Sequence, residues 1–169
     1  IGLHARDNHQ LLDALGKLCA RGNSVVVVEH DEDTMTRADF IVDLGPGAGV
    51  EGGEVVASGT LKQILRNKNS VTGLELGRQR DGGQALGQVR PTNPPLAKRG
   101  GKNKTPSLVF KNLRKNNLKN LSVAIPLGRF VAVSGVSGSG KSTMLRECVL
   151  PELKEALKAK RGNRSLEGL

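Results

Sequence analysis

The sequence has no tryptophan, no tyrosine and only three phenylalanines among 169 residues. Aromatic side chains supply much of the buried area of ordinary cores. Their scarcity, beside 22 glycines and 7 prolines, implies that part of the chain lies outside any core. Cysteine is equally sparse. Cys19 and Cys148 lie far apart, and neither has a second Cys or a His at metal-ligand spacing, so no zinc site is expected. Two small buried apolar residues in a reduced, cytoplasmic protein fit better. No apolar run approaches the roughly 18 residues of a membrane span, and no signal-peptide pattern opens the chain. No membrane partner is therefore expected. The chain begins at Ile1 rather than Met, and a fragment of a longer protein is expected.

Charge is what the sequence does have. The formal net charge is +10, which points to polyanions such as nucleotide phosphates or nucleic acid. It is unevenly spread. Residues 1–61 hold 4 basic and 10 acidic residues (−6), residues 62–119 hold 14 and 2 (+12), and residues 120–169 hold 8 and 4 (+4). Within the basic middle, residues 77–106 combine Gly and Pro pairs with scattered Lys and Arg and little apolar periodicity. That composition predicts a flexible linker. No aromatics interleave its charges, so base stacking is not expected of it.

Before the linker, residues 1–76 predict alternating helices and strands. Leu11, Leu12, Leu15 and Leu18 share one face of a helix over 8–18, with Asp7 or Asn8 as its N-cap. Val25–Val28 is an unbroken β-branched run, which predicts a strand buried on both faces of a parallel sheet. It leads into Glu29-His30-Asp31. In open α/β sheets, ligands bind beyond the carboxyl ends of strands. His30 sits at such an end and could donate to a phosphate, or simply cap a helix. Further strands are predicted over 40–44 and 54–57, separated by the glycine-rich 45–53. Thr60 and Gln63 form a capping-box pattern that opens a short helix.

After the linker, alternation predicts strands near 108–113 and 121–125. Phe130–Val133 reads as a short buried strand. It runs directly into Gly135-Val136-Ser137-Gly138-Ser139-Gly140-Lys141-Ser142-Thr143. This matches G-x-x-x-x-G-K-[ST] in the strand–loop–helix setting that gives the motif meaning. Loop amides can wrap a phosphate, and glycine permits turns that a Cβ would block. Lys141 brings positive charge to the outer phosphates. The Ser142 hydroxyl suits Mg²⁺, which takes oxygen ligands. The helix expected from Lys141 turns its positive end to the anion. ATP and Mg²⁺ are the expected ligands. A basic helix is predicted from Pro151 onward.

Several segments together resemble one family. Gly2-Leu3-His4-Ala5-Arg6-Asp7-Asn8 looks like the stretch after the Walker B carboxylates of ABC-type ATPases. Val27–Thr34 resembles their switch-histidine segment. Asp43–Gly49 with Gly52–Ala57, Asn116–Asn120 with Ile125–Gly128, and the phosphate loop complete a pattern similar to the UvrA type, the damage-sensing subunit of bacterial excision repair. The resemblance implies an α/β fold of the P-loop NTPase, ABC ATPase kind, as two incomplete modules joined by a flexible linker. Residues 1–76 would end the first module and residues 107–169 would begin the second. It implies that His30 contacts a γ-phosphate in the first module's site, whereas the Gly135–Thr143 loop binds ATP and Mg²⁺ in the second's. It further implies damaged duplex DNA, a UvrB-type subunit and a second copy of the parent protein as partners. Neither module has its full catalytic set, so no ATP turnover is expected of this chain alone. Two other readings stay open: another soluble tandem ABC ATPase of the translation-factor type, or a non-catalytic basic fragment that binds nucleic acid.

Overall fold

Four strands with alternating helices make a mixed sheet because both ends of the chain contribute apolar, β-branched segments that need covering. The computed structural model describes residues 5–81 and 106–161. Its helices are α1 (Ala5–Ala20), α2 (Glu32–Arg37), α3 (Leu61–Arg66), α4 (Val71–Asp81) and α5 (Leu150–Arg161). Its strands are β1 (Val25–Val28), β2 (Phe40–Gly45), β3 (Glu54–Gly59), β4 (Ser107–Leu113), β5 (Leu121–Pro126) and β6 (Phe130–Gly135).

The main sheet has the order β1-β6-β2-β3, and β4 and β5 form a separate antiparallel pair. β6 is parallel to both neighbours, with Val28 opposite Val133 on one side and Asp43 opposite Ser134 on the other. β3 closes the far edge antiparallel to β2. The strand that precedes the phosphate loop thus lies between two strands from the amino-terminal half. Its sequence explains the placement. Phe130, Val131, Ala132 and Val133 are all fully buried, and only a central strand covers both faces of such a run.

β1 departs from expectation for the complementary reason. Its four valines were expected to be buried on both faces, yet all are half-buried. β1 is an edge of the sheet, so among the described residues no strand covers its outer side. Two helix boundaries also shift. α1 begins at Ala5, so Asp7 and Asn8 lie within its first turn rather than capping it. The Asn8 side chain instead donates to Asp31 at 3.4 Å. α4 extends to Asp81, so the boundary predicted at residue 76 falls inside a helix. The rest of the predicted linker, 82–105, lies outside the described residues, as does the tail from 162.

Three apolar clusters hold the layers together. Val42, Leu44, Val131 and Val133 face Phe110, Leu121, Val123, Ile125 and Met144, which joins the sheet to the β4–β5 pair and the helix after the loop. Met35, Ile41, Ile64 and Leu76 pack with Ala132 beneath α2, α3 and α4. Leu12 and Cys19 of α1 close over Phe130. An Arg37–Asp13 ion pair ties α2 to α1, and the guanidinium holds the Asp13 carboxyl below its usual range. Both cysteines are buried, and burial pushes the Cys148 thiol up. No helix among the described residues is long and apolar enough to cross a membrane.

Candidate functional site

The site starts where β6 runs out. Gly135 has φ +128°, and a methyl group there would overlap the carbonyl of Leu44 on the neighbouring strand. Glycine lets the chain turn sharply out of the sheet while staying close to β2. The next residues form a tight loop, in which the Ser139 N–H donates to the Val136 carbonyl at 3.2 Å. Helix begins at Lys141, passes through a π-helical stretch over Thr143–Val149, and continues as α5. The helix expected from Lys141 and the one expected from Pro151 therefore run together as one helix that is locally wider. Such π-helical turns are rare and concentrate at functional sites.

Lys141 Nζ donates to the carbonyls of Gly135 at 2.7 Å and Val136 at 2.8 Å. Partial burial lowers the pKa of this amine, and the nearby Asp43 carboxylate works in the opposite direction. The Ser142 hydroxyl is exposed, whereas Thr143 Oγ1 accepts from Asn116 at 3.3 Å. Ser139 Oγ is buried and has no hydrogen-bond partner among the described residues. An unpaired buried hydroxyl costs about 1–3 kcal/mol. A phosphate oxygen at this loop would accept from it, so the residues present fit a nucleotide phosphate. No group of three or more His, Cys, Asp or Glu among the described residues could hold a metal by itself.

Two features around the loop were not identified from the sequence. The first is a brace on its outer side. The Gly49 N–H donates to the Gly138 carbonyl and the Gly53 N–H to the Ser139 carbonyl, both at 3.0 Å. The Asn117 side-chain amide donates to the carbonyls of Gly49 at 3.1 Å and Gly138 at 3.0 Å. The glycine-rich 45–53 segment and Asn117 therefore grip the loop through its carbonyls. The glycine density was the only visible sign, and it read as turns. Asn117→Ala removes two hydrogen bonds worth about 1 kcal/mol each. The expected result is a loss of about 1–2 kcal/mol in urea unfolding, together with weaker nucleotide binding.

The second feature is Asp43. It is buried at 3% exposure on β2, next to β6. The Ser70 hydroxyl donates to one of its carboxylate oxygens at 2.6 Å and the Thr72 hydroxyl to the other at 2.7 Å. Thr72 Oγ1 also lies 3.0 Å from Ser134 Oγ. Ser70 Oγ in turn accepts from the Gly73 N–H at 2.8 Å. A buried carboxylate needs such partners, and here they fasten the start of α4 to the base of the phosphate loop.

His30 is exposed, two residues beyond the end of β1. The helix-capping role open to it falls to its neighbour instead: Asp31 accepts from the Thr34 N–H at 2.9 Å and caps α2. The Glu29 N–H bonds to the Val133 carbonyl at 3.2 Å. His30 and the loop after Val133 thus leave the sheet at the same end, from adjacent strands. Residues expected to serve sites in two modules share one sheet edge here.

No protein-family profile matches the chain. Among curated proteins, it is 48% identical over 157 residues to UvrABC system protein A of Thermus thermophilus, covering 93% of this chain and 15% of that protein. It is 49% identical over 145 residues to UvrABC system protein A of Streptococcus mutans, covering 86% and 14%. Among solved structures, UvrA2 from Deinococcus radiodurans is 39% identical and aligns with 95% of this chain and 18% of its own, at a TM-score of 0.42. Over most of its length the chain is similar to one segment of UvrABC system protein A, and it spans 14–15% of the length of those relatives.

Proposed function

We propose that this chain is a nucleotide-binding part of an ATP-hydrolysing, DNA-damage-recognition subunit of excision repair. The observation that carries the reading is the Gly135–Thr143 loop. It follows a fully buried parallel strand, opens a long helix, and holds a buried Ser139 hydroxyl that lacks a partner. The similarity to UvrABC system protein A supports the wider role. In this reading residues 1–76 correspond to the end of one ABC-type module and residues 107–169 to the start of the next, with the basic 77–106 between them.

Bound ATP with Mg²⁺ supplies the phosphoryl-transfer chemistry. This chain's residues bind and orient. In this reading the loop amides would bind the phosphates, and the exposed Ser142 hydroxyl is available to the metal. Lys141 exchanges two neutral carbonyl acceptors for anionic oxygens, and charge-assisted bonds are roughly twice as strong as neutral ones. The helix from Lys141 adds its positive end. Duplex DNA, a UvrB-type subunit and a second copy of the parent protein are the partners proposed. The +12 of residues 62–119 would add a salt-dependent contribution to DNA affinity.

The test is equilibrium titration of the chain with a fluorescent ATP analogue and Mg²⁺. Lys141→Ala should weaken binding about 10–100-fold, the worth of one or two charge-assisted bonds. No sustained ATP turnover is expected of the chain alone. Unchanged affinity in Lys141→Ala would remove the reading.

A further inference from the structure

We infer that Asn116 is a positioning residue for the nucleotide: its side-chain amide fixes the Thr143 hydroxyl as a donor to a phosphate oxygen, and Glu147 and Lys115 hold the amide in turn. This rests on the reading of the Gly135–Thr143 loop as a nucleotide site, and all four side chains belong to the half of the chain that carries the loop. Asn116 sits in the turn between β4 and β5 with φ +51°, a left-handed conformation that asparagine tolerates better than most residues. From there its Nδ2 donates to Thr143 Oγ1 at 3.3 Å and to Glu147 Oε1 at 3.4 Å. Lys115 Nζ reaches the other oxygen of the same carboxylate at 3.2 Å. Both acceptors of Asn116 lie on the π-helical stretch that follows the loop.

Hydrogen-bond polarity carries the inference. A carboxylate paired with a lysine only accepts, so the amide must turn its NH₂ group towards Glu147. The same NH₂ group meets Thr143 Oγ1, which therefore accepts as well. A threonine hydroxyl that accepts still has its own proton to donate. Thr143 makes no other side-chain hydrogen bond among the described residues. That proton is left for an acceptor at the loop, two residues from Lys141, and ionised phosphate oxygens are acceptors only. Without the amide the hydroxyl is free to rotate, and the ordinary alternative for a helical threonine is to donate to a backbone carbonyl one turn back. The neighbouring Asn117 binds loop carbonyls instead, so the two asparagines are not interchangeable.

The experiment titrates the 169-residue chain with a fluorescent ATP analogue and Mg²⁺. It compares wild type with Asn116→Gly, Asn116→Asp, Thr143→Val, Asn116→Gly combined with Thr143→Val, and Lys141→Ala. Glycine removes the amide and accepts the left-handed backbone. Asn116→Gly should therefore unfold close to the wild-type urea midpoint, yet bind the analogue about 3–10-fold more weakly, the worth of one hydrogen bond. Aspartate also tolerates this backbone but can only accept, so it takes the Thr143 proton and is repelled by Glu147. Asn116→Asp should bind more weakly than Asn116→Gly. The losses in Asn116→Gly and Thr143→Val should not add when the two are combined, because both remove the same donor. Wild-type affinity in Asn116→Gly, or fully additive losses, would overturn the positioning role, and an impaired Lys141→Ala would then leave the loop's function standing. Failure of the wild-type chain to bind the analogue would overturn both.

Discussion

Phe130→Ala is expected to lower the stability of the chain by about 3–5 kcal/mol, the range for removing a buried aromatic ring. Phe130 is fully buried. Its ring packs beneath Leu12 and Cys19 of α1 and beside Val25 and Val27 of β1. Its backbone is held as firmly: the Phe130 N–H donates to Asp39 Oδ2, and its carbonyl accepts from the Asp39 N–H, both at 2.9 Å. The backbone contacts survive the substitution, so the site collapses poorly and most of the cavity remains. Total domain stabilities of about 5–15 kcal/mol make this a large fraction of the whole. Equilibrium urea unfolding measures it. The highly exposed Val50 is the control, for which truncation to alanine should change stability by no more than about 0.5 kcal/mol. Equal effects at the two positions would mean that β6 is not the centre of the sheet.

Gly53→Ala should act on the site more than on the core. Gly53 adopts φ +84°, and a methyl group there would overlap the backbone carbonyl of Asn117. The left-handed conformation alone costs a non-glycine residue about 1–2 kcal/mol. Relieving the overlap requires the 45–53 segment to separate from the 115–119 segment. That separation breaks the 3.0 Å bond from the Lys119 N–H to the Gly53 carbonyl, and the same shift of Gly53 strains the 3.0 Å bond from its N–H to the Ser139 carbonyl. The Lys119–Glu54 ion pair beside them is exposed, so it offers little resistance. The expected outcome is a loss of more than about 2 kcal/mol in stability and a larger relative loss of nucleotide affinity than in Asn117→Ala. A Gly53→Ala chain that binds nucleotide like wild type would show that the loop keeps its shape without the brace.

Local chemistry was readable in the sequence, and the assembly of the two halves was not. The phosphate loop, the apolar run of β6 and the Thr60–Gln63 pairing all depend on residues within a few positions of one another. The last appears as a bond from the Thr60 N–H to Gln63 Oε1 at 2.8 Å. The β-branched run of β1 was equally visible, but its burial was not, because burial depends on which strands lie beside it. Asn117 shows the same limit at the site. Its two acceptors, Gly49 and Gly138, lie 68 and 21 residues away, and nothing local distinguishes it from Asn116. Asp43 stood in a recognisable segment, yet its role depends on hydroxyls at 70 and 72 that become visible only when α4 returns to the sheet.

The central position of β6 has a consequence for how the chain comes to be folded. The pairs Val25–Phe130 and Val28–Val133 each join residues 105 positions apart. Closing so long a loop costs entropy before any contact repays it, and structures dominated by such distant parallel pairings form slowly. Until β6 arrives, β1 and β2 have no partner between them. The amino-terminal half must therefore wait, its apolar strands uncovered, for the segment that carries the phosphate loop. In this chain the motif that defines the site is also the last piece of the scaffold.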